Sequence, residues 1–211
     1  MPARPPALTS ELVVGDLRLF PCPGVNVVVG PDGAGKERLL DLARARLAPL
    51  NDDGRFGSFG VGPSASRFAP GSSLCVSSAG DAEKLAARLE MLLAEAGARS
   101  ACAAAVFLDH PSARLDGAAT ARLAAAIGAA AVRGAQLWVA TVDYRLVCGI
   151  DLLSLDPADL CFHAVEPGDD GRPRVASAAA WSELPSTEIG RALDALLNAA
   201  GPGGPSASRG R

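Results

Sequence analysis

Aromatic side chains make up 4% of this 211-residue chain against 49% hydrophobic residues overall, so a core has to be packed mostly from small aliphatics. Basic residues are not in excess. The 20 Lys and Arg stand against 23 Asp and Glu, the net charge is −3, and no internal basic cluster stands out. Direct nucleic-acid binding by this chain alone is therefore disfavoured. The five cysteines, Cys22, Cys75, Cys102, Cys148 and Cys161, show no C-x-x-C spacing and fall mostly within apolar segments, which reads as free thiols in a reducing cytosol. No apolar run reaches the ~20 residues of a membrane span; the Ala-rich stretch from Leu123 to Val132 is about half that long. The opening MPARPPALTS has no apolar segment and does not read as a signal peptide. These absences lead us to expect a soluble, cytoplasmic chain with no membrane insertion. Its length suits one α/β domain with a full core and is too short for two large ones. We expect a flexible N-terminus at residues 1–10, one domain over 11–199 and a disordered tail at 200–211.

What is present centres on Val25 to Leu47, VNVVVGPDGAGKERLLDLARARL: an apolar run, a glycine-rich turn and a helical pattern. Gly30, four intervening residues, Gly35 and Lys36 match the phosphate-loop spacing up to its last position. Glycines allow positive φ and let backbone N–H groups approach phosphate oxygens. A helix opening there adds its unpaired N–H groups and the positive end of its dipole. On this reading Gly30, Asp32, Gly33, Ala34, Gly35 and Lys36 hold phosphate, with Lys36 as a point charge. The bland alternative is a strand-turn-helix whose glycines only make the turn.

The pattern asks for Ser or Thr after the lysine, and the chain has Glu37. That hydroxyl normally ligates magnesium. A carboxylate can also hold a cation, but like charges ~4 Å apart cost roughly 1 to 4 kcal/mol depending on screening. Nucleotide binding should then be weakened or unusually dependent on metal.

Elsewhere, Glu11 to Phe20 reads as a strand with a bend, and residues 51–73, rich in Gly, Pro, Ser and Asp, as a loop. Leu74 to Val76 is a short strand candidate, and Ser77 and Ser78 precede an amphipathic helix over 81–96. A buried strand from Ala103 to Leu108 runs into Asp109, an acidic residue in the place where phosphate-hydrolase sites bind magnesium. Helix Gly117–Arg133, strand Gln136–Thr141, a hairpin turning at Gly168 to Gly171 and a last helix over 187–199 complete a mainly parallel sheet flanked by helices.

VNVVVGPDGAGKERLL resembles the phosphate loop of ABC-type ATPase heads, especially the soluble branch of chromosome-maintenance, recombination-repair and overcoming-lysogenization-defect proteins. VSSAGDAEKL stands where that family has its signature, VFLDHPSARLD where it has Walker B and the D-loop, and LWVATVDYRLV where it has the switch strand. The resemblance implies an α/β P-loop NTPase fold, ATP and Mg2+ as cofactors, and paired heads, either a homodimer or a heterodimer with another ATPase head. It implies that Asp109 and Glu37 lie at the metal, that Ser77, Ser78 and Gly80 face an opposing nucleotide, and that Asp116 lies at the head-to-head contact.

The departures bear on activity. The family's catalytic glutamate is replaced by His110, its switch histidine by Val142, and the only glutamine is Gln136, so the glutamine loop is missing. Losing a positioned base commonly costs roughly 10²- to 10⁴-fold in rate. His110 can titrate near neutrality and is a weak candidate for that base. Three readings stay open: an ATP-binding switch or scaffold with weak or absent hydrolysis, a nucleotide-free interaction protein, and a small active phosphoryl-transfer enzyme.

Overall fold

The computed structural model describes residues 9, 11–14, 17–47, 57–61, 87, 90–91, 104–113, 115–153, 155–167 and 173–184. A two-stranded hairpin, β1 (Leu12–Val14) with β2 (Leu17–Leu19), leads into β3 (Val25–Val29) and α1 (Lys36–Leu47). Then come β4 (Gly57–Val61), β5 (Ala104–Asp109), α2 (Gly117–Val132), β6 (Gln136–Thr141), α3 (Tyr144–Asp151), β7 (Leu160–Pro167) and β8 (Pro173–Ala178). Short 3-10 turns stand at Pro157–Asp159 and Trp181–Glu183.

The main sheet has six strands in the order β4-β5-β6-β3-β7-β8. All its neighbouring pairs are parallel except β7 with β8. β3 is buried along its whole length and lies between β6 and β7, which is why its sequence is nearly continuous valine rather than alternating. The pleat still divides it. Val25, Val27 and Val29 join one core with Leu123, Ile127 and Leu146, while Val28 joins the other with Leu39, Phe107 and Trp138. α1 covers this second core through Leu39, Leu40 and Ala43. α2 and α3 cover the first through Ala119, Leu123, Ile127, Leu146, Val147 and Ile150, spaced at helical intervals.

Helix starts follow local chemistry. Asp116 caps α2 by accepting from Ala119 N at 2.7 Å, and Asp143 caps α3 by accepting from Arg145 N at 3.0 Å.

Three expectations need correction. The bent strand over Glu11 to Phe20 is an antiparallel pair with Leu12 opposite Leu19, because burying both leucines on one side requires the chain to double back. The loop over 51–73 contains strand β4, whose glycine-containing sequence has little strand propensity and is set by pairing with β5. The segment after β6 forms α3, a helix that the sequence reading omitted. Of the helix expected over 81–96, Ala87, Glu90 and Met91 are described, all helical. The strand at 74–76, the turn at 168–171, the helix at 187–199 and the tail lie outside the described residues, as do Ser77, Ser78 and Gly80. Among the described residues no helix is long and apolar enough to cross a membrane.

Candidate functional site

β3 delivers Gly30 to the carboxyl edge of the sheet, where an open α/β sheet binds its ligands. A Cβ on Gly30 would stand 2.4 Å from the carbonyl oxygen of Val165 on β7, so only glycine lets these backbones approach. Gly33 and Gly35 have φ of +80° and +99°, which side-chain-bearing residues rarely adopt. The turn is open rather than collapsed, for nothing lies within 4 Å of an added Cβ at either position. Ala34 N closes the turn onto Pro31 O at 3.2 Å, and Leu39 N donates to Gly35 O at 3.2 Å as α1 begins.

Lys36 is 4% exposed, and its Nζ donates to the carbonyl oxygens of Gly30 and Pro31, each at 2.8 Å. An ammonium has three protons, so these bonds fix the charge over the turn and leave one proton for a ligand. Asp32, exposed at the tip of the turn, has Oδ1 3.9 Å from the ammonium. Burial pushes the lysine below its ordinary pKa, against the opposite pull of Asp32, Asp109 and Glu37.

β5 brings Asp109 to the same edge. It is 3% exposed, and its Oδ1 is buried without a hydrogen-bond partner among the described residues. Burial raises the carboxyl above its ordinary range; His110 and Lys36 pull it down, while Glu37 and Asp41 push it up. Lys36, Glu37 and His110 are thus each within electrostatic reach of Asp109.

An orphaned carboxylate oxygen and the exposed Glu37 are hard oxygen donors of the kind magnesium takes. That ion is usually bound through one or two carboxylates, waters and substrate phosphates. Among the described residues no group of three or more His, Cys, Asp or Glu is placed to hold a metal, so nucleotide oxygens would have to complete the shell. The residues present fit a magnesium-nucleotide complex better than a free ion.

His110 holds φ at +47° and donates its backbone N–H to Ala140 O at 2.8 Å. A left-handed residue other than glycine stores strain and is over-represented at functional sites. Its Nε2 lies 3.8 Å from Asp109 Oδ1.

β6 separates β3 from β5, with Thr141 opposite Val29 and Ala140 opposite Asp109. Thr141, which the sequence reading did not single out, is buried and accepts from Asp143 N through Oγ1 at 2.9 Å. Val142 follows it, 41% exposed, and its side chain has nothing to donate. Asp143 and Arg145 were also missed. Burial alone would raise the Asp143 carboxyl, but hydrogen bonds led by that from Arg145 outweigh it and hold the group below its ordinary range. Only a short-range turn signal, an aspartate before a helix, could have pointed to this pair.

The other histidine, His163, is fully buried between Asn26 and Ser177, and burial lowers its pKa to about 4. Among the described cysteines, Cys22, Cys148 and Cys161 are free. Burial pushes Cys22 up to about 12 and Cys161 up to about 11, as expected of unreactive thiols.

A mainly parallel sheet flanked by helices, with a glycine turn and an inward lysine between β3 and α1, defines an α/β P-loop NTPase fold. No protein-family model and no curated protein matches the sequence. Among solved structures the chain is similar to an Smc head bound to the C-winged helix domain of ScpA, at 22% identity and a TM-score of 0.37 over 47% of this chain and 27% of that one. It is similar to a bacterial ABC transporter cassette solved as a dimer, at 15% identity and a TM-score of 0.45 over 81% of this chain and 95% of that one. The RNase-L inhibitor matches at 16% identity and a TM-score of 0.41, over 78% of this chain and 41% of that one. The chain thus spans little more than a quarter of the Smc head chain. At these identities and TM-scores the likeness says nothing of this chain's activity.

Proposed function

We propose that this chain is an ABC-type nucleotide-binding head that holds ATP, with magnesium, while hydrolysing it weakly or not at all. In this reading it serves as a switch or scaffold for a second head or partner protein. The observation that carries the reading is the lysine fixed by Gly30 O and Pro31 O over an open glycine turn, with the buried Asp109 carboxylate beside it. Weak turnover is argued from His110 where the family has its glutamate and from Val142 where it has its switch histidine. The first puts an imidazole where the family has a carboxylate base; the second has a side chain that cannot donate a hydrogen bond to a terminal phosphate.

The competing nucleotide-free reading would have Glu37 supply the negative charge at the helix start. Glu37 is exposed rather than folded into the turn, which favours an external anion. Pairing with a second copy or with a complete ATPase head belongs to the same proposal, as does a cytoplasmic setting.

Titration calorimetry with ATP and Mg2+ tests it. Binding that Lys36→Ala abolishes is the expected result, and equal heats for the two proteins would favour the interaction-only alternative.

A further inference from the structure

Resting on the nucleotide reading above, we propose that the side chain of Asp32 is an internal counter-anion that competes with phosphate for Lys36 and thereby weakens the site's hold on a polyphosphate. Two of the three ammonium protons of Lys36 are committed to Gly30 O and Pro31 O. The one ion pair the lysine makes among the described residues is with Asp32 Oδ1, at 3.9 Å. The two partners differ in setting. The lysine is buried, whereas the Asp32 side chain is 90% exposed at the tip of the turn, on the side from which a ligand must arrive. Among the described residues no other partner holds that carboxylate. Against the burial that lowers Lys36, Asp32 is the strongest of the charges that favour its ammonium form, ahead of Asp109 and Glu37.

A carboxylate accepts hydrogen bonds and cannot donate one, so this side chain has nothing to offer a phosphate oxygen. The cradle is built instead from main-chain N–H groups around Gly33 and Gly35, where φ is positive and an added Cβ would meet nothing within 4 Å. Asp32 therefore acts in two senses: its backbone belongs to the turn, and its side chain opposes what the turn would hold. A phosphate drawn to the remaining proton of Lys36 meets a like charge 3.9 Å from the ammonium that attracts it. At about that range the repulsion is substantial even beside solvent. The ion pair itself contributes little to the fold, as exposed pairs generally do, so its effect falls on the ligand.

The test measures the affinities of the full chain, Asp32→Asn and Asp41→Asn for inorganic tripolyphosphate without metal and for a non-hydrolysable ATP analogue with Mg2+, at low and high salt. Circular dichroism checks that both variants are folded. Asp32→Asn keeps the size of the side chain and removes its charge. Asp41→Asn makes the same change of net charge on α1, at a residue that acts on Asp109 but is not among the charges acting on Lys36. Asp32→Asn should bind both ligands at least about fivefold more tightly at ~0.05 M salt. The advantage should shrink toward about twofold at ~1 M, where the screening length is ~3 Å. Binding detected in Asp32→Asn alone would be the same result in its strongest form. An equal gain from Asp41→Asn would trace the effect to overall charge and overturn the assignment. So would a gain that ignores salt, or an affinity unchanged or lowered in Asp32→Asn while the unaltered chain binds. Failure of both the unaltered chain and Asp32→Asn to bind either ligand would overturn the nucleotide reading, and the assignment with it.

Discussion

The ammonium of Lys36 donates a 2.8 Å hydrogen bond to the carbonyl oxygen of Gly30, six residues upstream across the turn that both residues delimit. The lysine is therefore a structural member of the turn as well as a charge for a ligand. Lys36→Ala should lower stability in the absence of nucleotide by about 1 to 3 kcal/mol, because buried carbonyls lose charged donors. Urea denaturation of the nucleotide-free proteins measures this, and an unchanged midpoint would show the lysine acting on ligand alone.

Turnover should be close to background and far below the roughly 1 s⁻¹ of an ordinary enzyme. Restoring the family's groups with Glu37→Ser and His110→Glu together should raise the rate at least about tenfold, since a positioned base contributes 10² or more. A phosphate-release assay compares the two chains. No gain from the pair would mean that other parts of the site also prevent hydrolysis.

Acid should weaken the fold through His163. Its pKa is held down to about 4 by burial, against an ordinary value near 6.5, so the unfolded chain binds a proton that the folded chain refuses. This contribution is complete above about pH 6.5 and declines as pH falls toward 4, by on the order of 3 kcal/mol in all. Denaturation midpoints at pH 7 and pH 5 should differ, and His163→Gln should flatten the difference. A variant as acid-sensitive as the parent would locate the effect elsewhere.

Asn26 should be among the least replaceable residues of the sheet. Its Oδ1 accepts from Cys22 N at 2.9 Å and faces His163 Nε2 at 3.3 Å, while its Nδ2 donates to Cys22 O at 2.9 Å. Asn26→Leu would take the partners from Cys22 N and His163 Nε2 in the interior, while Cys22 O keeps Gln136 Nε2 at 2.8 Å and His163 Nδ1 keeps Ser177. The expected loss is about 3 kcal/mol or more, read from chemical denaturation.

The elements legible in sequence were those whose local chemistry and tertiary fate agree. β3, β5 and β6 are continuous apolar runs and α1 and α2 helical patterns, all set off by turn residues, and Gly30, Lys36 and Asp109 announce themselves by spacing and by position at strand ends. β4 was illegible because two of its five residues are glycine and its conformation comes from the partner strand. α3 was masked by its brevity and by its attachment to a strand. Asn26 was hidden for another reason: a polar residue within a valine run gives no hint that two neighbouring strands and a turn will supply its partners. The Asp143–Arg145 clamp is a pairing two residues apart, too common in sequence to attract notice before its surroundings are known.

The sheet divides the interior into two layers, and each layer contains one of the chain's two tryptophans: Trp138 with α1, Trp181 with α2 and α3. The molecule therefore carries a separate optical reporter for each half of its core. Emission from Trp138→Phe and Trp181→Phe, followed during denaturation, tells whether the half covered by α1 and the half covered by α2 and α3 come apart as one cooperative unit.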